Sequence, residues 1–471
     1  MTAQPALKKI YTVTPADRRA FWFIMLPALV EGVILQLFGM IDTLMLGNTA
    51  DSAVNIASVS LANTPHQFIL CVLNAFAIGT TTAIAFYTGQ NDPRRVAAAA
   101  RQSMRMILLL SGASTVIALV FAHPIVTFAG AAGELHDGAV LYFRIIMAGF
   151  PLEMLTVAAT ACMRGIGVTR VAMLYNIAAS AFNVLGNYVL IYGRFGFPEM
   201  GVAGAALSTT LSKCISFAIA AWYMLTRDTP VRIRFGESFR FTRDGIGRVS
   251  TVGITTALEQ VLLQGGNILA VKIVAQMDTV SIAAFNVCGT INGLSWKPGG
   301  ACQVATTTFV GRDLGEGRPE KARARALMVY RYSLIFCACM SVFMILFRTP
   351  IASLFSPEAE IVRMAGAALI FDAVSAVGVT SHLTLSGALR SAGDSKYPLI
   401  ASMISIWSAR VVLALIFGWC GLLNVMTARL CVAIDQMIRG TIVTLRFFRS
   451  DKWGDRPAKQ RKFKGEPTHG S

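Results

Sequence analysis

Charged side chains are scarce in this chain. Asp, Glu, Lys and Arg make up 14% of its 471 residues, against about 25% in a soluble globular protein. It also has no polar stretch long enough to build a sizeable soluble domain. Apolar runs of bilayer-spanning length, roughly 20 residues, recur from Phe21 to Phe447. The nine cysteines include no Cys-x-x-Cys pair. Cys71, Cys162, Cys214, Cys337 and Cys339 stand in apolar surroundings and read as small buried hydrophobes, not as ligands or disulfides. The absence of a GxxxxGK[ST] phosphate loop argues against direct use of ATP. HExxH and GxSxG are also missing, and Ala392-Gly393-Asp394 falls in a connecting loop, at the wrong depth for an intramembrane aspartyl protease. An intramembrane enzyme is therefore the remote reading. The first twenty residues are polar and basic, without the apolar core and cleavage site of a signal peptide.

What the sequence does contain is hydrophobic segments. Twelve helices are expected near 21–46, 52–88, 96–123, 135–162, 171–192, 201–226, 247–275, 279–309, 324–347, 359–389, 397–418 and 422–447. The formal net charge of +17 is concentrated in alternate connections. One set carries Lys8, Lys9, Arg18 and Arg19; Arg94, Arg95, Arg101 and Arg105; Arg164 and Arg170; and six arginines from Arg227 to Arg248. It continues with Arg312, Arg318, Lys321, Arg323 and Arg325, then Arg390 and Lys396, then a tail from Lys452 to Lys464. The other set holds Arg194, Arg348, Arg363 and little else. This asymmetry is the positive-inside pattern of a multi-pass plasma-membrane protein with both termini in the cytoplasm. It requires an even number of helices. Topology and contact with anionic lipid account for the basic charge, so no nucleic-acid partner is needed.

The two halves resemble each other at an offset near 226 residues. Met163-Arg164-Gly165-Ile166-Gly167 is echoed by Leu389-Arg390-Ser391-Ala392-Gly393, Val54-Asn55-Ile56-Ala57 by Val280-Ser281-Ile282-Ala283, and Lys213 by Arg439. Glu31 and Gln36 match Glu259 and Gln264 with a small shift. Six helices per copy put both copies in one orientation, related by an axis along the membrane normal. The expected organisation is a segment 1–20, an N-lobe 21–226, a linker 227–246, a C-lobe 247–447 and a basic tail 448–471. Lobes built this way can rock about a central site near the midplane.

Polar groups inside the bilayer are costly and mark function by default. Asp42 lies late in the first helix, and Glu31, three turns earlier, is on nearly the same face. The fifth helix carries Asn176, Asn183 and Asn187, the last two being four apart and therefore neighbours. A carboxylate with amide oxygens suits Na⁺ and equally suits a carboxyl that carries a proton. Glu153, Glu259 and Asp372 are further candidates for a cation or the substrate, with Arg144, Lys297 and Arg410 as cationic partners for them. Asp435 and Arg439 read as an in-helix pair. Pro27 should bend the first helix.

Several short segments, in this order, carry a family resemblance. They are Pro27 with Ile41-Asp42-Thr43 and Gly47; Gly89-Gln90-Asn91-Asp92; Met163 to Thr169; Asn183, Asn187 and Tyr192-Gly193; Pro198 to Ala206; Leu389 to Asp394; and Asp435, Arg439, Arg446-Phe447 and Trp453. Over residues 20–453 the chain resembles the multidrug and toxic compound extrusion (MATE) family, in its NorM/DinF-like bacterial branch. That resemblance implies an all-α integral membrane protein of twelve helices in two pseudo-symmetric bundles. It also implies a secondary antiporter that exports organic, often cationic, compounds in exchange for Na⁺ or H⁺; a monomer with no other cofactor is expected. Asp42, Asn183, Asn187 and Thr209 match the family's N-lobe cation site, and Glu259 matches a seventh-helix glutamate of the family. Asp372 is about two turns from the family's tenth-helix aspartate, which would fall nearer Val379. A lipid-linked saccharide flippase of the same superfamily is the closest rival. It would want a cationic cavity, for which Lys297 and Arg144 are candidates.

Overall fold

A computed structural model describes residues 11–48, 52–232 and 243–450. The first ten residues, linker positions 233–242 and the tail from 451 lie outside the described residues. With them lie the expected cations Lys8, Lys9, Arg234, Arg240 and Lys452 to Lys464, and also Trp453.

Twelve long helices make up the described fold. The first repeat holds α1 (Pro15–Gly47), α2 (Ser52–Gly89), α3 (Pro93–Val120), α4 (Glu134–Gly165), α5 (Thr169–Ile191) and α6 (Gly201–Thr226). The second holds α7 (Arg243–Val274), α8 (Thr279–Gly315), α9 (Pro319–Leu346), α10 (Ala359–Ser391), α11 (Lys396–Trp419) and α12 (Val425–Arg449). Ten of these are long and apolar enough to cross a membrane; α8 and α12 are as long but carry more polar side chains. Helix α3 and helix α9 stand 226 residues apart at both ends, as do Gly165 and Ser391 at the ends of α4 and α10.

Two details were not expected. Short helices at Ala122–Phe128 and Arg348–Ser353, again 226 residues apart at their starts, follow α3 and α9 where plain loops were expected. Helix α11 contains a π-helical stretch over Ile406–Val412, which includes Arg410.

Packing within each repeat forms one lobe. Helices α4 and α10 hold corresponding positions and are the most buried of the ten apolar spans. Prolines inside α1 and α4 are accommodated by neighbours. Pro27 has no N–H for the Phe23 carbonyl one turn back, and Thr169 of α5 donates to that carbonyl at 3.3 Å instead. Pro151 leaves the Met147 carbonyl free in the same way, and Thr115 of α3 donates to it at 3.1 Å. Helix α1 thus runs on through Pro27 without interruption.

The lobes meet at the end where α2 and α8 finish. Phe21, Ile24, Met25 and Ala28 of α1 pack with Ala301, Cys302, Ala305 and Phe309 of α8. Asp17 at the start of α1 bonds Arg325 of α9 at 2.5 Å, and Arg325 also reaches Asp313 of α8 at 3.0 Å. The tightest approach is between backbones. A Cβ on Gly89 would fall 2.0 Å from the Arg312 carbonyl oxygen, and one on Gly315, its repeat mate, 2.1 Å from that of Phe86. Only glycine allows this closure. Gly89→Leu is therefore expected to pry this end apart, at a cost of about 1–3 kcal/mol for overpacking. Spin labels at Arg94 and Arg318 would report it as a shift towards longer distances. An unchanged distance distribution would count against this role of the glycine.

Candidate functional site

Inside the long helices, away from their first and last turns, the described carboxylates are Glu31, Asp42, Glu153, Glu259, Asp372 and Asp435. Five of them have a Lys or Arg within salt-bridge reach. Arg164 meets Glu31 at 3.1 Å, Lys213 meets Glu153 at 3.1 Å, and Arg390 meets Glu259 at 2.7 Å. Arg429 meets Asp372 at 3.5 Å, and Arg410 and Arg439 meet Asp435 at 2.6 and 2.8 Å. Asp42 is the exception: among the described residues no cationic side chain forms a salt bridge with it.

Amides and a hydroxyl surround Asp42 instead. Asn187 of α5 donates to its Oδ1 at 2.8 Å. The Asn183 amide, oriented to suit its neighbours, donates to both carboxylate oxygens at 3.0 Å and accepts from the backbone N–H and hydroxyl of Thr209 at 3.2 Å. Ser208 fixes that turn of α5 by donating to the Asn183 carbonyl at 2.7 Å. Asn183 and Asn187 are 6% and 1% exposed, so the arrangement is enclosed on the α5 side. The Asn187 Oδ1 is buried and has no hydrogen-bond partner. A buried acceptor of this kind is costly to leave unmet. The four residues named from the sequence, Asp42, Asn183, Asn187 and Thr209, thus lie together. Asn176, on the same helix, belongs elsewhere: it donates to Glu31 at 2.8 Å.

Glu31 and Glu259 sit in matching surroundings. Glu31 takes Arg164 and Asn176; Glu259 takes Arg390 and Ser402 (3.0 Å), residues 226 further along in each case. His382 adds a third contact to Glu259 at 3.4 Å. Arg164 and Arg390 were expected among the loop cations. They are in the last turns of α4 and α10, and Arg390 is buried. Sequence position alone assigned them to topology; their alignment with the two glutamates was the available signal for pairing.

Other partners also differ from expectation. Glu153 is held by Lys213 and by His66 at 3.0 Å, not by Arg144. Asp372 is held by Arg429, which the sequence reading did not single out, and by Asn292 at 2.6 Å. Arg410 serves Asp435 and Asn267 instead of Glu259, Glu153 or Asp372. The in-helix pair of Asp435 and Arg439 is present.

A separate recess of about 550 Å³ lies at the closed end, lined by Arg19, Phe23, Gly167, Arg312 and Arg325 among others. It does not include the Asp42 cluster. Arg325 and Arg312 there are engaged with Asp17, Asp313 and Glu316.

A two-lobed membrane bundle, with one acid held by amides and without a salt bridge of its own, has the architecture of a membrane transporter. The MatE family model matches residues 27–189 and 256–416, one stretch in each repeat, and the chain belongs to that family, the MATE transporters. It is similar to a probable multidrug resistance protein NorM of Thermotoga maritima, 28% identical over 449 residues and covering 94% of each chain. It is also similar to the multidrug resistance protein PmpM of Pseudomonas aeruginosa, 24% identical over 385 residues, covering 81% of this chain and 80% of that one. Among solved structures, an outward-facing multidrug resistance MATE family transporter matches with a TM-score of 0.85 at 23% identity. That match covers 93% of this chain and 98% of the other, and it confirms the two-lobed fold.

Proposed function

We propose that the chain is a secondary antiporter of a bacterial inner membrane, with both termini cytoplasmic. It would act as a monomer in contact with membrane lipid and export organic, often cationic, compounds in exchange for Na⁺ or H⁺. The observation that carries this reading is Asp42, which has no cationic partner where every comparable acid has one. A carboxylate in a membrane interior needs a compensating charge. A proton supplies it by neutralising the acid. Na⁺ supplies it by accepting oxygens from Asp42, from Asn183 with its amide turned, and from Asn187, whose Oδ1 has no other partner. Either ion, or a cationic substrate, satisfies the same carboxylate, and competition for one charge is the basis of exchange.

Glu31, Glu153, Glu259 and Asp372 already have internal cations, so we place coupling in the N-lobe and give the C-lobe acids a role in shaping the cavity. The named relatives are multidrug resistance proteins, which supports organic substrates. Proteoliposomes with an imposed Na⁺ or pH gradient, assayed for movement of a fluorescent organic cation, test the reading. Gradient-driven flux with one of the two ions is expected. Equal flux with neither gradient would overturn it.

A further inference from the structure

Lys297 is the middle residue of α8 (Thr279–Gly315), opposite the middle of α1 (Pro15–Gly47). That puts its ammonium near the midplane, at the seam between the lobes. Its stem lies against α1: the Lys297 Cδ is 3.6 Å from where a Cβ on Gly32 would stand. Yet its ammonium has no hydrogen bond or ion pair among the described residues, whereas the C-lobe acids Glu259, Asp435 and Asp372 each have an arginine partner. Glu31, beside Gly32, is held by Arg164 and Asn176 and does not serve it.

The space around Lys297 is open along one face. Gly293 is one turn before it and Gly300 one turn after, and a Cβ built on either meets nothing within 4 Å. The same is true of Gly39, two turns beyond Gly32 on α1. A half-buried cation between two helices, with room on both sides and no internal counter-charge, is arranged to receive an anionic group from outside the protein.

We propose that Lys297 is a substrate-specificity residue that receives the carboxylate of a zwitterionic organic compound, whose cationic group is the one that competes for Asp42. This rests on the transporter reading above and narrows its substrate class. A single ammonium suits a monoanionic carboxylate. Phosphate and pyrophosphate groups are better met by several cations or by forked arginines, and the C-lobe arginines Arg410 and Arg429 are engaged by Asp435 and Asp372.

The test is equilibrium binding of a rhodamine with a free benzoate and of its methyl ester, followed by fluorescence anisotropy on the purified full-length protein. The wild-type protein is expected to bind the acid more tightly than the ester. Lys297→Met should weaken the acid by roughly tenfold or more, as for loss of one charge-assisted hydrogen bond, and leave the ester within about twofold, which also reports that the variant is folded. Lys297→Arg should keep the preference for the acid. Equal loss for both probes in Lys297→Met, or no preference for the acid in the wild-type protein, overturns the proposal. Binding at equilibrium needs no gradient. Absence of ion-driven flux with this preference intact would therefore refute antiport and leave the role of Lys297 standing.

Discussion

Asp42→Asn is expected to reduce gradient-driven transport to the level of empty liposomes without lowering the thermal stability of the protein. The substitution keeps the size of the side chain, and its amide can accept from one α5 amide and donate to the oxygen of the other once that amide turns, but it removes the one charge that can be exchanged. Glutamates and aspartates elsewhere in the bundle cannot replace it, because Arg164, Lys213, Arg390, Arg429 and Arg410 already occupy them. Stability should hold or rise slightly, since a partly buried charge without a cationic partner is costly to keep. A thermal-shift assay on the purified variant separates this outcome from misfolding. Ion-driven flux close to wild type in Asp42→Asn would remove the site from the mechanism.

The opposite pattern is expected at Glu259. Arg390→Ala leaves a carboxylate that is 1% exposed without its 2.7 Å partner. His382 and Ser402 remain, but neither carries a permanent charge. Removing one member of a buried ion pair typically costs about 3–5 kcal/mol, so the unfolding midpoint in detergent should drop sharply. The double variant Glu259→Leu/Arg390→Met, which removes both charges, should recover most of that loss. A single variant as stable as wild type would show that Glu259 does not depend on the pair and would reopen it as a coupling acid.

The helices and the repeat were legible in the sequence because bilayer-length apolar runs and alternating loop charge report directly on topology. The short helices at Ala122–Phe128 and Arg348–Ser353 were not, because each is too short to show a hydrophobic period. At the site, Asn183 and Asn187 were legible through their spacing of four on one helix. Thr209 came only from the family resemblance; a threonine in an apolar helix gives no signal of its own, and here it acts by fixing the Asn183 amide. The arginine partners were harder. Arg164 and Arg390 end their helices, where the positive-inside pattern fully accounts for a cation. Their pairing depends on how α1 and α7 lie against α4, α5, α10 and α11, which one sequence does not show. Asp372 looked misplaced against the family pattern, and its contact with Arg429 of α12 explains its position as one arm of an ion pair.

The central claim is that one negative charge, at Asp42, is shared in turn by a coupling ion and a substrate. Ion release on substrate addition tests it most directly. Purified protein, pre-equilibrated with radiolabelled sodium or in weakly buffered solution with a pH dye, is mixed with an organic cation that it transports. The account predicts that the cation displaces bound Na⁺ or releases protons from the wild-type protein and releases neither from Asp42→Asn. Equal release from both proteins would contradict it.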